Sequence, residues 1–335
     1  MKYVVRRLPV VLVFLLALTL AAPALAQGGD PLCTGLSESD CQLLLGPTTA
    51  MAGITSFTTP VWAIDVNMSD GTEEFAFNAN GSGGFQFAPD ASEFLVHLVI
   101  EQAAIASADL TQSLSAEIIF TQDMVYVNFN GEWYGGEITE EDLAGMGLGD
   151  LDSMLGGETT GGLGDAASLA GIDLTGVITT TRGADEQVGG QPVAAFTTNI
   201  NIAQLVTALL SSPMVGEALG MGGAELGMEE MTPEDIQMMG AFLTPLLSQT
   251  TLSVGQWVGT NDQMLRKIAL DMVLNLDLTM FDPEASAIAG NISFMAELDG
   301  FNQPLAVTFP QSYRPIEELE AQLEAQIATA VQRLV

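Results

Sequence analysis

One histidine, His97, stands in the run Phe94-Leu95-Val96-His97-Leu98-Val99-Ile100. A Ser-His-Asp or Cys-His mechanism needs an imidazole to move the proton, so in this chain it would have to use His97. No G-x-S-x-G elbow is present, and nothing near His97 in sequence marks an orienting partner, so the residue reads as structural. Cys33 and Cys41 lie eight positions apart. In an exported chain two close cysteines form a disulfide, the alternatives being free thiols or pairing between molecules. A bridge consumes both thiols, and zinc needs three or four N or S ligands. Gly162-Leu163-Gly164-Asp165-Ala166-Ala167 matches G-x-G-x-x-A, but no strand pattern precedes it, so it is not a nucleotide loop. Asp150, Asp152 and Glu158 lack EF-hand spacing and read as a solvated acidic loop. A two-carboxylate hydrolase would need its pair about 5–10 Å apart in an aromatic-lined cleft. Aromatics make up 7% of this chain, which argues against such a cleft. Residues 67, 80 and 291 begin glycan sequons, a motif short enough to arise by chance. The sequence thus assigns no catalytic residue, no metal ligand and no cofactor.

The stronger signal is apolar. In RKIALDMVLNLDLTM, residues 266–280, every second position from Ile268 is a large apolar residue: Leu270, Met272, Leu274, Leu276, Leu278 and Met280 follow it. Asp271, Asn275 and Asp277 stand between them. A period of two puts one face against a core and the other in water. A strand over 265–280 is far longer than the usual five or six residues, so it belongs to a large twisted sheet.

Composition places the protein. Lys2, Arg6 and Arg7, an apolar run over 8–20 and Ala24-Leu25-Ala26 make a secretory signal peptide, with cleavage expected after Ala26. No later stretch is long and apolar enough to span a membrane. That segment takes three of the eight basic residues, leaving five against 42 acidic ones. A chain of net charge −34 cannot neutralise phosphates, which excludes nucleic acid as a partner, and it avoids anionic membrane surfaces. Yet 48% of residues are hydrophobic, enough to enclose something.

Along the chain, residues 27–49 read as a leader and a short disulfide-pinned helix over 37–45, capped by Ser37 and stopped by Gly46-Pro47. Strand patterns follow at 61–68, 74–80 and 84–88. Residues 94–105 fit either a strand or a buried helix. Residues 115–120, 124–130 and 133–134 read as strands, with an Asn130-Gly131 turn. Met- and Gly-rich segments at 140–171 and 202–248 read as helical inserts. They contain a helix over 202–210 and another begun by Thr232-Pro233-Glu234 that carries Met239, Phe242 and Leu243. Strands at 176–182 and 192–200 turn across Gly189-Gly190. Strands at 251–258, 265–280, 291–298 and 304–309 come last, then a C-terminal helix within 313–335. Hairpin connections without strand-helix alternation imply an α+β antiparallel fold.

Three pieces resemble one family. DMVYVNFNGEWYG (123–135), RGADEQVGGQPVAAFTTNIN (182–201) and VGQWVGTNDQMLRKIALDM (254–272) are similar, in the same order, to strand-turn pieces of LppX/LprG-type lipid carriers. The resemblance implies a LolA-like half-barrel over 50–312: a large curved antiparallel sheet with helices covering the concave face around an apolar cavity. Members carry lipids or glycolipids. This chain lacks their acylation cysteine.

Residues 1–26, 27–49, 50–312 and 313–335 therefore read as signal peptide, leader, single domain and terminal helix. The expected cavity lining is Trp62, Ile64, Val66, Ile268, Leu270, Met272, Leu274, Leu276, Leu278, Ile292, Phe294, Met239, Phe242 and Leu243. The expected function is a secreted, non-enzymatic protein that binds or carries a lipid or other apolar molecule. The alternatives are a cell-surface or matrix protein of the same fold with a filled core, and a carboxylate-based extracellular hydrolase.

Overall fold

The computed structural model describes residues 31–72, 74–87, 94–107, 110–139, 174, 176–211, 233–278, 287–319 and 321–322. The signal peptide, the insert at 140–171 and most of the terminal helix lie outside the described residues.

Twelve strands form one open sheet. In chain order they are β1 (Ser56–Ser69), β2 (Glu74–Phe87), β3 (Phe94–Ser107), β4 (Leu110–Thr121), β5 (Met124–Phe129), β6 (Glu132–Glu137), β7 (Ile178–Val188), β8 (Gln191–Asn201), β9 (Thr251–Gly259), β10 (Leu265–Leu276), β11 (Ile288–Glu297) and β12 (Arg314–Pro315). Strands consecutive in sequence pair antiparallel from β1 to β6 and from β7 to β11, with residues 202–250 inserted between β8 and β9, and antiparallel pairing of β1 with β11 joins the two halves. The order is β12-β6-β5-β4-β3-β2-β1-β11-β10-β9-β8-β7, so β6 and β7, neighbours in sequence, stand at or next to opposite edges. Two-residue turns close two of the hairpins: Asn130 and Gly131 have φ of 55° and 83°, and Gly189 and Gly190 of 56° and 76°. Positive φ at both central residues is what a right-twisted hairpin requires.

β-Bulges curve the sheet. Across β1 and β2, Thr59 pairs with Gly83 and Trp62 with Gly81, which leaves one extra residue in β1 at Pro60–Val61. In β3 the extra residue falls at Glu101–Gln102, seen from both neighbouring strands. A bulge bends its strand and increases local twist. Pro60, which has no N–H to give a ladder, sits where a bulge tolerates it.

Among the described residues, three helices and a strap cover the sheet. Helix α1 (Glu38–Ala50) starts at Ser37, whose hydroxyl accepts from the Asp40 N–H at 3.2 Å. It continues through Gly46-Pro47 instead of stopping there. Gly46 is pressed against Gln263 in the β9–β10 turn, and that packing overrides the local stop signal. The Cys33–Cys41 disulfide ties the preceding turn to α1. Helix α2 (Ile202–Ser211) follows β8 directly; Asn201 caps it by accepting from the Gln204 N–H at 3.0 Å. Helix α3 (Pro233–Leu247) starts at Pro233, as its sequence predicts. It packs on α2, with the Thr207 and Thr244 hydroxyls 2.9 Å apart, and lies against β10.

The sequence pattern at 304–309 is not a strand. Residues 303–313 run extended and unpaired across the outer face. Leu305 occupies the notch left by Gly84, Phe309 meets the Tyr126 ring edge-on at 5.9 Å, and Tyr313 fills the notch of Gly135. Arg314 then pairs with Tyr134 at the β6 edge. Ile316 and Leu319 pack with Phe129, Val127 and Tyr134. Tyr134, 1% exposed, is the anchor here, while its neighbour Trp133 is only half-buried.

Candidate functional site

The register of β1, β11, β10, β9, β8 and β7 sets the expected site residues in rows on one face. The first row is Trp62, Ala296, Ile268, Gln256, Phe196 and Arg182. The second is Ile64, Phe294, Leu270, Val254, Thr198 and Thr180, and the third Val66, Ile292, Met272, Leu252, Ile200 and Ile178. A fourth pairs Met68, Gly290 and Leu274, and Leu276 pairs with Ile288 beyond it. Directly opposed residues of antiparallel strands project to the same side, so these rows form one surface.

Burial falls from row to row. Trp62 and Ile268 are each 2% exposed, and Phe196 1%. In the second row Ile64 and Phe294 are buried, but Leu270 and Val254 are half-buried. In the third, Val66, Ile292, Met272, Leu252 and Ile200 are half-buried while Ile178 at the β7 edge is buried, and Leu274 and Leu276 further along are half-buried too. Leu278 follows the end of β10 and is half-buried too. The strand is shorter than its alternation: it ends at Leu276. On the other face Asp271, Val273, Asn275 and Asp277 are exposed, as a period of two requires.

Helix α1 lies at the buried end. Arg182 Nη1 donates to Asp40 of α1 at 3.2 Å, also contacts Asp185, and stacks over Phe196 at 5.6 Å. Helices α2 and α3 lie at the half-buried end. Leu205 and Ala208 of α2 pack against the core, and α3 contributes Leu243, half-buried, and Phe242, 45% exposed. The Met239 side chain lies outside the described residues.

Polar groups are sparse on this face. The Thr180 and Thr198 hydroxyls meet at 3.1 Å, and Gln256 is buried in the first row. Carboxylates of the central strands, Asp65 and Asp271, stand on the outer face. His97 is also on the outer face, with its Nε2 2.8 Å from Glu117 Oε1 on the neighbouring strand. That carboxylate, 20 residues away, satisfies the imidazole; only the β3–β4 register brings it close. Sequence reasoning missed Leu252, Val254 and Ile200. Leu252 and Val254 do alternate with Thr251 and Ser253, but Gln256 and the glycine at 255 interrupt the pattern.

The few cations among the described residues are all engaged. Among the described residues Arg182, Arg266, Lys267 and Arg314 lie over Phe196, Phe301, Trp257 and Tyr134 at 5.6, 5.0, 4.6 and 5.5 Å. The hydrogen bond and charge of Glu318 raise the pKa of Arg314 further. No helix among these residues is long and apolar enough to cross a membrane.

No protein-family model matches the chain, and no curated protein does. Among solved structures it is similar to the lipoprotein LppX of Mycobacterium tuberculosis, at 11% identity and a TM-score of 0.33, covering 81% of this chain and 100% of that one. LprF from Mycobacterium bovis matches at 14% identity and a TM-score of 0.35, covering 82% and 99%. A putative outer membrane lipoprotein-sorting protein domain from Vibrio parahaemolyticus matches at 7% and 0.19, covering 79% and 93%. LppX is of the type that the sequence motifs resemble. Likeness of this size carries no functional inference, and the fold rests on the strand order and register described above.

Proposed function

We propose that the protein is secreted and non-enzymatic, and that it binds or carries a lipid or other apolar molecule on the inner face of its sheet, beneath α2 and α3. Residues 50–312 act as one half-barrel unit, behind a signal peptide over 1–26 and a leader over 27–49 and ahead of a terminal helix over 313–335. One observation carries this reading: the apolar rows continue past the point where the helices among the described residues bury them. An apolar side chain gains about 1.5–3 kcal/mol on full burial, and a half-buried row leaves part of that unclaimed. An acyl chain laid along Val66, Ile292, Met272 and Leu274 recovers it, at about 0.8 kcal/mol for each buried CH₂. The sparse polar groups, Thr180 and Thr198 at the margin, suit a ligand that is mostly hydrocarbon.

The filled-core alternative draws on the other end of the same face, where Ile268, Phe196 and Val258 are closed over by α1. Leu274→Trp separates the two readings. A bulkier side chain in a ligand space displaces ligand, whereas in a filled core it overpacks by about 1–3 kcal/mol. The expected result is loss of co-purifying lipid with a melting temperature that barely moves. A destabilised variant of a protein that never held lipid would overturn the carrier reading.

A further inference from the structure

We propose that the outer face seats a basic side chain of a partner protein, in an aromatic corner that Tyr126, Phe309 and Tyr313 form between two carboxylates. The site is separate from the inner face and does not depend on what is bound there. Tyr126 lies on β5, in the row of His97, Ile119, Tyr126 and Gly135. The strap lays Phe309 and Tyr313 against it, with ring centroids 5.9 and 5.3 Å away. The ring planes cross at 75° and 76°, so the three rings make a corner, not a flat stack. Gly135 leaves the space for it: a Cβ there would stand 2.7 Å from Cδ2 of Tyr313. Phe309 is 45% exposed and Tyr313 49%, so the corner opens to solvent.

The neighbours of the corner are acidic. Glu117 pairs with Asn128, two positions along β5 from Tyr126. Glu137 lies two positions along β6 from Gly135, the partner of Tyr126. Residues two apart on a strand share a face, so a carboxylate flanks Tyr126 on either side. Glu117 is half-buried beside His97, and Glu137 is exposed. The strap from Gln303 to Tyr313 carries no charged residue. Arg314, the next residue, is turned to Tyr134, Glu132 and Glu318. Every cation among the described residues rests over a ring elsewhere, and none of them lies over this corner. Ring faces attract a cation, and carboxylates beside them hold it. An arginine suits both, because its planar guanidinium stacks on a ring while its N–H groups donate to a carboxylate. A shallow, exposed corner fits a side chain that projects from a partner's surface. The net charge of −34 steers a basic protein towards it.

The test is calorimetric titration of a hexaarginine peptide into the mature protein at physiological salt, beside the double variant Phe309→Ala, Tyr313→Ala. These substitutions leave the net charge unchanged, so attraction by the acidic body as a whole is the same in both. One exposed cation–π contact changes affinity by about two- to fivefold, so loss of two rings should weaken binding by about fivefold or more. Glu137→Gln should weaken it by about twofold. Asp271→Asn removes an exposed charge from the same face, six strands away on β10, and should leave the affinity unchanged. The two carboxylate variants decide the matter by themselves if the ring variant loosens the strap and melts early. Equal binding by the ring variant, or equal loss in Glu137→Gln and Asp271→Asn, overturns the proposal, because the acidic surface as a whole then binds the peptide. So does a dimer that the ring substitutions abolish, since a second copy then fills the corner. Flotation with phosphatidylcholine vesicles that they abolish overturns it too, since a choline headgroup then takes the place of the basic side chain.

Discussion

Gly81→Ala is expected to cost about 3 kcal/mol or more in urea unfolding, an unusually large effect for adding one methyl group. Gly81 lies on β2 between the bulges of β1 and β3, paired with Trp62 on one side and Ile100 on the other. A Cβ there would stand 1.8 Å from the Val99 carbonyl oxygen and 2.9 Å from Cζ2 of Trp62. The first contact is with backbone, which no rotamer change relieves. The strand must shift, and with it the curvature that the two bulges set. A cost below about 1 kcal/mol would mean that β2 does not pass between those bulges as described.

Trp62→Ala should cost about 3–5 kcal/mol, the range for emptying a buried aromatic site. Trp62 is 2% exposed, its indole lies over Gly81, and its Nε1 donates to the Ser82 carbonyl at 3.1 Å. Removing the ring opens a cavity at the closed end of the inner face and takes a donor from a backbone carbonyl. The two substitutions touch the same contact, so their costs should not add. Calorimetry of the single and double variants checks both statements. A Trp62→Ala variant that melts within a degree or two of the parent would contradict the closed end of the site.

The strands of the site were legible because their faces differ so strongly. Alternation over β10 puts Asp271 and Asn275 on the wet face without any knowledge of neighbours, and both are exposed. The strand β2 was legible only in pieces. Its run of Asn and Gly over 80–84 reads as a break, yet the strand continues through it. Glycine there serves close approach by Trp62 and Leu98, a requirement set by other strands. Residues 94–105 fitted strand or helix equally, and only long-range pairing with β2 and β4 makes them β3.

Two misreadings have the same origin. Leu305, Val307 and Phe309 alternate because the strap has an inner and an outer side, not because it joins a ladder. Gly46-Pro47 would end an isolated helix, but burial against Gln263 carries α1 on to Ala50. Local sequence reports which side of a segment is apolar. Whether that side meets another strand, a glycine notch or a ligand is decided by partners far away in the chain.

Native mass spectrometry of the mature protein, purified without detergent from an exporting host, tests the central claim most directly. The expected spectrum holds a population heavier than the polypeptide by the mass of one or more lipids, released on denaturation and identifiable in an organic extract. A single species at the polypeptide mass, which also fails to take up a fatty-acid probe, would contradict it and leave the apolar rows as the inside of a closed core.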